Sequence, residues 1–566
     1  MKFKLGLAAL AISLSLPALS QDTIYVNGKV YTVNKNQPWA DGFIVSEGRF
    51  VEVGMTEALK KKASSDSKIV DLGGKFVMPG FIDDHIHPDM VAENVMNVMT
   101  NYNTTYEEFG QQIQDFLKNK PEAKWVFGGP INWLPEHGGT IDVFNQPAHY
   151  SILDKYVSDR PAFFWDIGAH AALVNSKTLE LLGVTKDTPD PVGGAYDRDA
   201  EGNPTGVLRE TAANLAWEMF LKDRPSSEEI ADQGVKPAFD MINSWGITSI
   251  SDVWARAWML DSYNYLEKKG DLNVRISAYI TDPIDWNTQW MRDVAKEAIA
   301  NHKRYNTEKL EVIGVKFVLD GSAGGQTAVM VDPFEGTDNR GYYRNDPEYF
   351  LKQMAIYDKQ GLTVKIHAVG DGAIRKGLEG IGNARKQGST LRHSIAHTVF
   401  VNPADKKLFK EYDAVAEFSP YFWYPGPHTD MIEPDVGKKR LSWIFPFRSL
   451  VDKGVKTSVG SDWPVAADAN PWPSIESMMT RRQAGGAGPE PIGLQEKISL
   501  EKALEAYTLG GAYAQYREDE IGSIEAGKFA DFIVTDQNPF EITPTDIHKI
   551  KVLETVLEGQ TVYTVQ

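Results

Sequence analysis

Eight short apolar runs, all but one closed by a polar or charged residue, restrict the middle of this chain more than any other feature. They are Lys75–Asp83, Gly246–Asp252, Val274–Ile280, Val312–Asp320, Leu362–His367, His393–His397, Ala414–Ser419 and Lys456–Asp462. Near-continuous apolar composition is what a parallel strand needs when both of its faces are covered. The segments between the runs keep helical spacing, as where Leu500, Ala503, Leu504 and Tyr507 recur behind a candidate cap at Ser499. Eight strand–helix units in succession predict an α/β fold, a (β/α)8 TIM barrel. The stretch from Asp83 to Gly246 is far too long for one unit. Residues 100–235 are therefore expected to form a large insertion after barrel strand one, with strands at Trp125–Gly128 and Ala162–Asp166. It would act as a lid or substrate subdomain over the barrel mouth.

Both ends of the chain carry short strands and tight turns. Asn27-Gly28 separates Thr23–Val26 from Lys29–Val33, Glu47-Gly48 separates Phe43–Ser46 from Arg49–Val53, and Glu558-Gly559-Gln560 follows Val552–Val556. Each is a hairpin signal, because such turns need residues that tolerate positive φ. Neither end is large enough for a stable sheet with a covered face. Residues 21–76 and 520–566 are therefore expected to share one composite β-sandwich, with a barrel over 77–519 between them. Ahead of them, Lys2 and Lys4 precede an uncharged apolar stretch from Leu5 to Leu16, then Pro17-Ala18-Leu19-Ser20. That layout predicts a signal peptide over 1–20, cut after Ser20, and a periplasmic or secreted protein.

Charge and cysteine usage narrow the chemistry. Lys and Arg total 59 against 77 Asp and Glu, a net charge of −18, which argues against a nucleic-acid partner. No later stretch approaches the roughly 18 apolar residues of a spanning helix, so a small-molecule substrate is the expected partner; homo-oligomerisation stays open. The chain has no cysteine, which excludes disulfides, thiolate nucleophiles and Cys-ligated metals. A metal here has to be held by histidine, carboxylate or something less usual.

His85 and His87 close the first run, and residues two apart on a strand face the same way. The pair alone decides little. Lys316 sits inside the apolar run Gly314–Asp320, where a buried ammonium is expensive unless paired or neutralised. It could pair with Asp320. Alternatively its amine, more easily deprotonated when buried, could take up carbon dioxide as a carbamate and bridge two cations. His367, His397 and Asp462 end runs five, six and eight. All six fall at or near strand C-termini, where barrel enzymes place their active sites. Imidazole and carboxylate donors without thiolate suit Zn2+ or a related divalent ion.

This order of residues, with Val77–Asp89 (VMPGFIDDHIHPD) at the front and Gly522–Val534 (GSIEAGKFADFIV) at the back, resembles the amidohydrolase superfamily. The phrases GVKFVLDGS, KIHAVGDGA, RHSIAH and GSDWPV are similar to its branch of N-substituted formamide deformylases and related exported amidohydrolases. The resemblance implies two Zn2+ ions. His85, His87 and Asp462 would bind one, His367 and His397 the other, and carboxylated Lys316 would bridge them. Asp462 would also shuttle a proton in hydrolysis of an amide-like C–N bond (a formamide, N-acyl compound or cyclic amide), and His170 would contact or polarise the substrate. The chain departs from the pattern at Gly168-Ala169-His170, at Ala396 and in the loop Ser419–Tyr424. Glu210 and the aromatic residues Trp165 and Trp423 are candidate substrate contacts, the aromatics favouring an aryl or otherwise apolar group. Esterase or lactonase activity needs the same chemistry. A deaminase of this superfamily carries Glu three residues after the fifth-strand His, where this chain has Gly370. A non-catalytic binding or regulatory protein is expected to have lost one of the six residues.

Overall fold

The computed structural model describes residues 22–100, 104–131, 147–166, 171–286, 288–424, 427–486 and 488–565, with the side chains of 427–431 excepted. The signal-peptide segment and His170 lie outside the described residues. The eight central runs form one parallel sheet: Phe81–Ile86, Ile247–Ala255, Arg275–Thr281, Leu310–Val318, Thr363–His367, Ser394–Ala396, Val415–Phe418 and Thr457–Val459. Each strand pairs with the next in sequence order. The ring closes between the eighth and first strands: Asp462 N donates to His85 O at 2.7 Å and His87 N to Trp463 O at 2.9 Å. Gly460 permits that approach, since a Cβ there would stand 2.3 Å from His85 N.

The first run is divided between two structures. Phe76–Pro79 joins a six-stranded sheet with the C-terminal strands, and only Phe81–Ile86 enters the barrel. The chain crosses at Gly80, where the Thr248 side chain lies too close for any Cβ. A single strand over Lys75–Asp83 was the expectation; the apolar run continues through the crossing because both halves are buried.

The sandwich draws on both ends of the chain. Gly42–Ser46, Arg49–Gly54, Thr23–Val26 and Lys68–Asp71 make a four-stranded sheet. It faces the six-stranded sheet in which Phe76–Pro79 pairs with Phe532–Thr535. Phe43 and Phe532, from opposite ends of the sequence, pack with ring centroids 5.0 Å apart. The turns at Glu47-Gly48 and Glu558-Gly559 close hairpins as expected. Asn27-Gly28 does not: Thr23–Val26 and Lys29–Tyr31 belong to different sheets. Asn27 has the expected positive φ of 56°, but the turn carries the chain from one layer to the other.

Between the first two barrel strands, Val98–Met99, Val126–Ile131, Ala162–Asp166, Ala171–Val174, Pro204–Glu210 and Gly194–Arg198 form a separate six-stranded sheet. Ser499 caps the last barrel helix as expected, accepting from Lys502 N. That helix carries a π turn over Ala506–Gly510. No helix among the described residues is long and apolar enough to cross a membrane.

Candidate metal centre

The strand ends bring the six expected residues to one mouth of the barrel. His85 lies within a bulge: Ile250 pairs with Asp83 but Asp252 with Ile86, so the first strand carries one extra residue there. The neighbours Asp84 and His85 consequently both reach interior partners. His87 opens the helix Pro88–Met96. Beyond the sixth and eighth strands, His397 (φ 68°) and Asp462 (φ 61°) adopt the left-handed region. Such conformations in non-glycine residues collect where surrounding structure enforces them.

Asp462 is the hub. Its Oδ1 lies 3.0 Å from His87 Nε2 and 3.5 Å from His85 Nε2, and its Oδ2 lies 3.9 Å from His397 Nδ1. Lys316 Nζ is 3.4 Å from His85 Nε2. The His85 and His397 rings stand 4.7 Å apart and the His367 and His397 rings 4.6 Å apart. Burial holds His85 and His397 well below the usual imidazole pKa and takes His367 down to about 3, with Lys316 adding to each shift. Neutral imidazoles present nitrogen lone pairs, the donors that a divalent cation takes. His367 Nε2 is buried with no hydrogen-bond partner. His85, His87 and Asp462 offer ligand atoms that all lie within 4.8 Å of one another. This donor set fits a divalent ion of the zinc type.

Lys316 does not pair with Asp320. The Asp320 carboxylate accepts from the backbone amides of Val329, Val369 and Gly370, at 2.9, 3.0 and 2.9 Å. It thereby ties the segment after the fourth strand to the start of the helix Asp371–Lys386. Lys316 is 2 % exposed and makes no ion pair with a described carboxylate. Burial lowers its pKa to about 8, with nearby Glu417 and Asp462 opposing that shift.

Three further charges under the mouth escaped the sequence reading. Glu417, in the seventh strand, lies with both carboxylate oxygens 2.9 Å from His85 Nδ1. Lys365 Nζ reaches Glu417 Oε2 at 3.1 Å and Asp84 Oδ2 at 3.0 Å. All three are fully buried. A charged residue inside an apolar strand was the available signal, the same one that singles out Lys316.

The candidate substrate contacts separate. Trp165 is partly buried, 5.8 Å from Trp217. Trp217 continues to Trp286 at 6.4 Å, Trp286 to Trp254 at 5.6 Å, and Trp254 to the His87 ring at 6.2 Å. Glu210 is an exposed residue where its strand turns into the helix Thr211–Lys222. Trp423 is 1 % exposed, its ring packed among Phe418, Phe445 and Phe447. That corrects its expected substrate role: the indole fills the core behind the loop instead of lining the mouth.

Residues 68–563 match the model of the Amidohydrolase family. The chain is 28% identical over 559 residues to the N-substituted formamide deformylase of Arthrobacter pascens, covering 95% of this chain and 98% of the relative. It is 29% identical over 570 residues to the protein LONG AFTER FAR-RED 3 of Arabidopsis thaliana, covering 97% and 93%. Among solved structures, an uncharacterized metal-dependent hydrolase from Pyrococcus horikoshii OT3 superposes with a TM-score of 0.75 at 25% identity. That match covers 93% of this chain and 99% of the other.

Proposed function

The chain belongs to the amidohydrolase family, and from that premise we propose that it hydrolyses an amide-like C–N bond using two divalent cations, Zn2+ or a related ion. The observation that carries this reading is the convergence of His85, His87 and His397 on the Asp462 carboxylate, with Lys316 Nζ 3.4 Å from His85 Nε2 and with His367 Nε2 buried without a hydrogen-bond partner. His85, His87 and Asp462 would hold one ion, and His367 and His397 the other. As a carbamate, formed when its neutral Nζ bonds to carbon dioxide and one proton leaves, Lys316 would supply an anionic oxygen donor to the centre. A buried amine that makes no ion pair with a described carboxylate supports that conversion, which supplies an anionic oxygen donor. When bound, the ions polarise a carbonyl and bring a water's pKa from 15.7 towards about 7.

Asp462 takes the proton of the attacking water and delivers it to the leaving nitrogen, the general acid–base role. The deformylase relative supports a formamide or other N-acyl substrate. The tryptophan row beginning at Trp254 supports one carrying an aryl or otherwise apolar group. The test is a screen of metal-replete protein against N-formyl, N-acyl, cyclic amide, ester and lactone compounds, with metal quantified in the same sample. Turnover of an amide-type compound by protein carrying two ions per chain is expected. Hydrolysis confined to esters or lactones, or full activity in metal-free protein, would overturn the proposal.

A further inference from the structure

We propose that Glu417 is the positioning residue of the centre, fixing which nitrogen of His85 faces the cation; this rests on the metal-dependent reading above. A carboxylate only accepts hydrogen bonds. With both Glu417 oxygens 2.9 Å from His85 Nδ1, that nitrogen carries the proton. The lone pair is left on Nε2, the atom facing Asp462 and Lys316. Glu417 is itself held. Lys365 Nζ touches its Oε2, pairs with Asp84 Oδ2 and donates to Asp84 O at 2.6 Å. The Asp84 carboxylate takes further bonds from Ser251 Oγ and Ser458 Oγ, each at 2.6 Å. The Tyr279 ring covers the ammonium, its centroid 5.0 Å away.

Every member of this assembly is buried, and the members come from six barrel strands: the first, which supplies both Asp84 and His85, and the second, third, fifth, seventh and eighth. Glu417 cannot swing away without taking its own buried carboxylate from both of its partners, Lys365 and His85, a costly arrangement. The His85 ring is therefore locked in orientation and in tautomer by six strands of the barrel. Glu417 approaches the ring from the Nδ1 side, the place of an orienter; a carboxylate oxygen of it also lies within 4.8 Å of ligand atoms of His85 and His397, and the ion count at saturation separates the two roles. Partners of this kind typically change metal affinity when removed.

The test is titration of apo-protein with Zn2+ against a chromophoric chelator, for the wild type, Glu417→Gln and Glu417→Met. At saturation all three are expected to bind the same number of ions. Glu417→Met should lose roughly 10- to 100-fold in affinity for one of them. Glu417→Gln should lose less, because its amide oxygen still accepts from Nδ1–H. Thermal unfolding of the apo-forms is the control. If both variants melt earlier yet bind Zn2+ with wild-type affinity while folded, Glu417 is a structural residue only and the inference fails. It fails equally if Glu417→Gln binds one ion fewer at saturation, since Glu417 is then a ligand. Should Glu417→Met not fold, the isosteric Glu417→Gln decides both points. A wild-type protein that binds no Zn2+ or other divalent ion defeats the metal-dependent reading itself, a result distinct from either variant outcome.

Discussion

Asp462 is fixed through both its backbone and its side chain. Its amide bonds to His85 O while its carboxylate meets three imidazoles. Asp462→Asn keeps that shape and an oxygen donor but cannot carry a proton. It should retain metal and lose turnover by roughly 10²- to 10⁴-fold, as measured by kcat and metal content on one sample. Trp254→Ala removes the ring nearest His87. Its expected effect is a KM increased roughly fivefold for an aryl substrate with kcat little changed, the order of about 1 kcal/mol for one aromatic contact; an unaltered KM would remove Trp254 from the substrate's path. At this scale the sequence was legible wherever a polar residue ended an apolar run, as at His367, His397 and Asp462. It was read incompletely within the runs. Lys316 was singled out as a charge inside a strand, but Asp84, Lys365 and Glu417 share that property. Their service to one another depends on barrel neighbours that no linear spacing displays.

Among the elements, the junction between the eighth and first strands bears most directly on the site. Gly460→Ala would place a methyl group 2.3 Å from His85 N. The strands must move apart, at a cost of about 1–3 kcal/mol. Denaturant unfolding should register that loss, and metal affinity should fall with it because His85 is displaced. The eight barrel strands were readable because burial on both faces leaves them largely apolar. The change of sheet at Gly80 was not, because nothing in composition distinguishes a strand buried in a sandwich from one buried in a barrel. Asn27-Gly28 illustrates the complementary limit: a turn residue specifies local φ, while the pairing of the flanking strands is set by Phe43, Phe532 and the rest of the sandwich core.

At the level of the whole molecule, barrel and sandwich are joined by a buried ion cluster. Arg275, from the third barrel strand, pairs with Asp531 and, at 2.6 Å, with Glu558. Arg275→Met leaves the buried Asp531 carboxylate without its cation, while Glu558 keeps Lys309 at 3.6 Å, and should destabilise the protein by roughly 3 kcal/mol; unfolding followed at the barrel and at the sandwich would then no longer coincide. Stability should also depend on pH through Asp285. Burial raises its pKa from 3.8 to about 7, Arg344 opposing and Asp282 adding. The folded state then binds more protons than the unfolded state between those values. The contribution to stability is complete below about pH 4 and is lost as pH rises through about 7. Asp285→Asn should accordingly show a smaller fall in Tm between about pH 5 and pH 8 than the wild type; parallel profiles would remove Asp285 as the cause.

The bonds that shut the barrel also bring Asp462 against His85. Folding and preparation for chemistry are thus one event in this protein: a chain whose ring has not shut cannot possess a half-active pocket. Cations lodged there would clasp the two ends of the sheet, and stripping them with a chelator should loosen the whole cylinder as well as silence it.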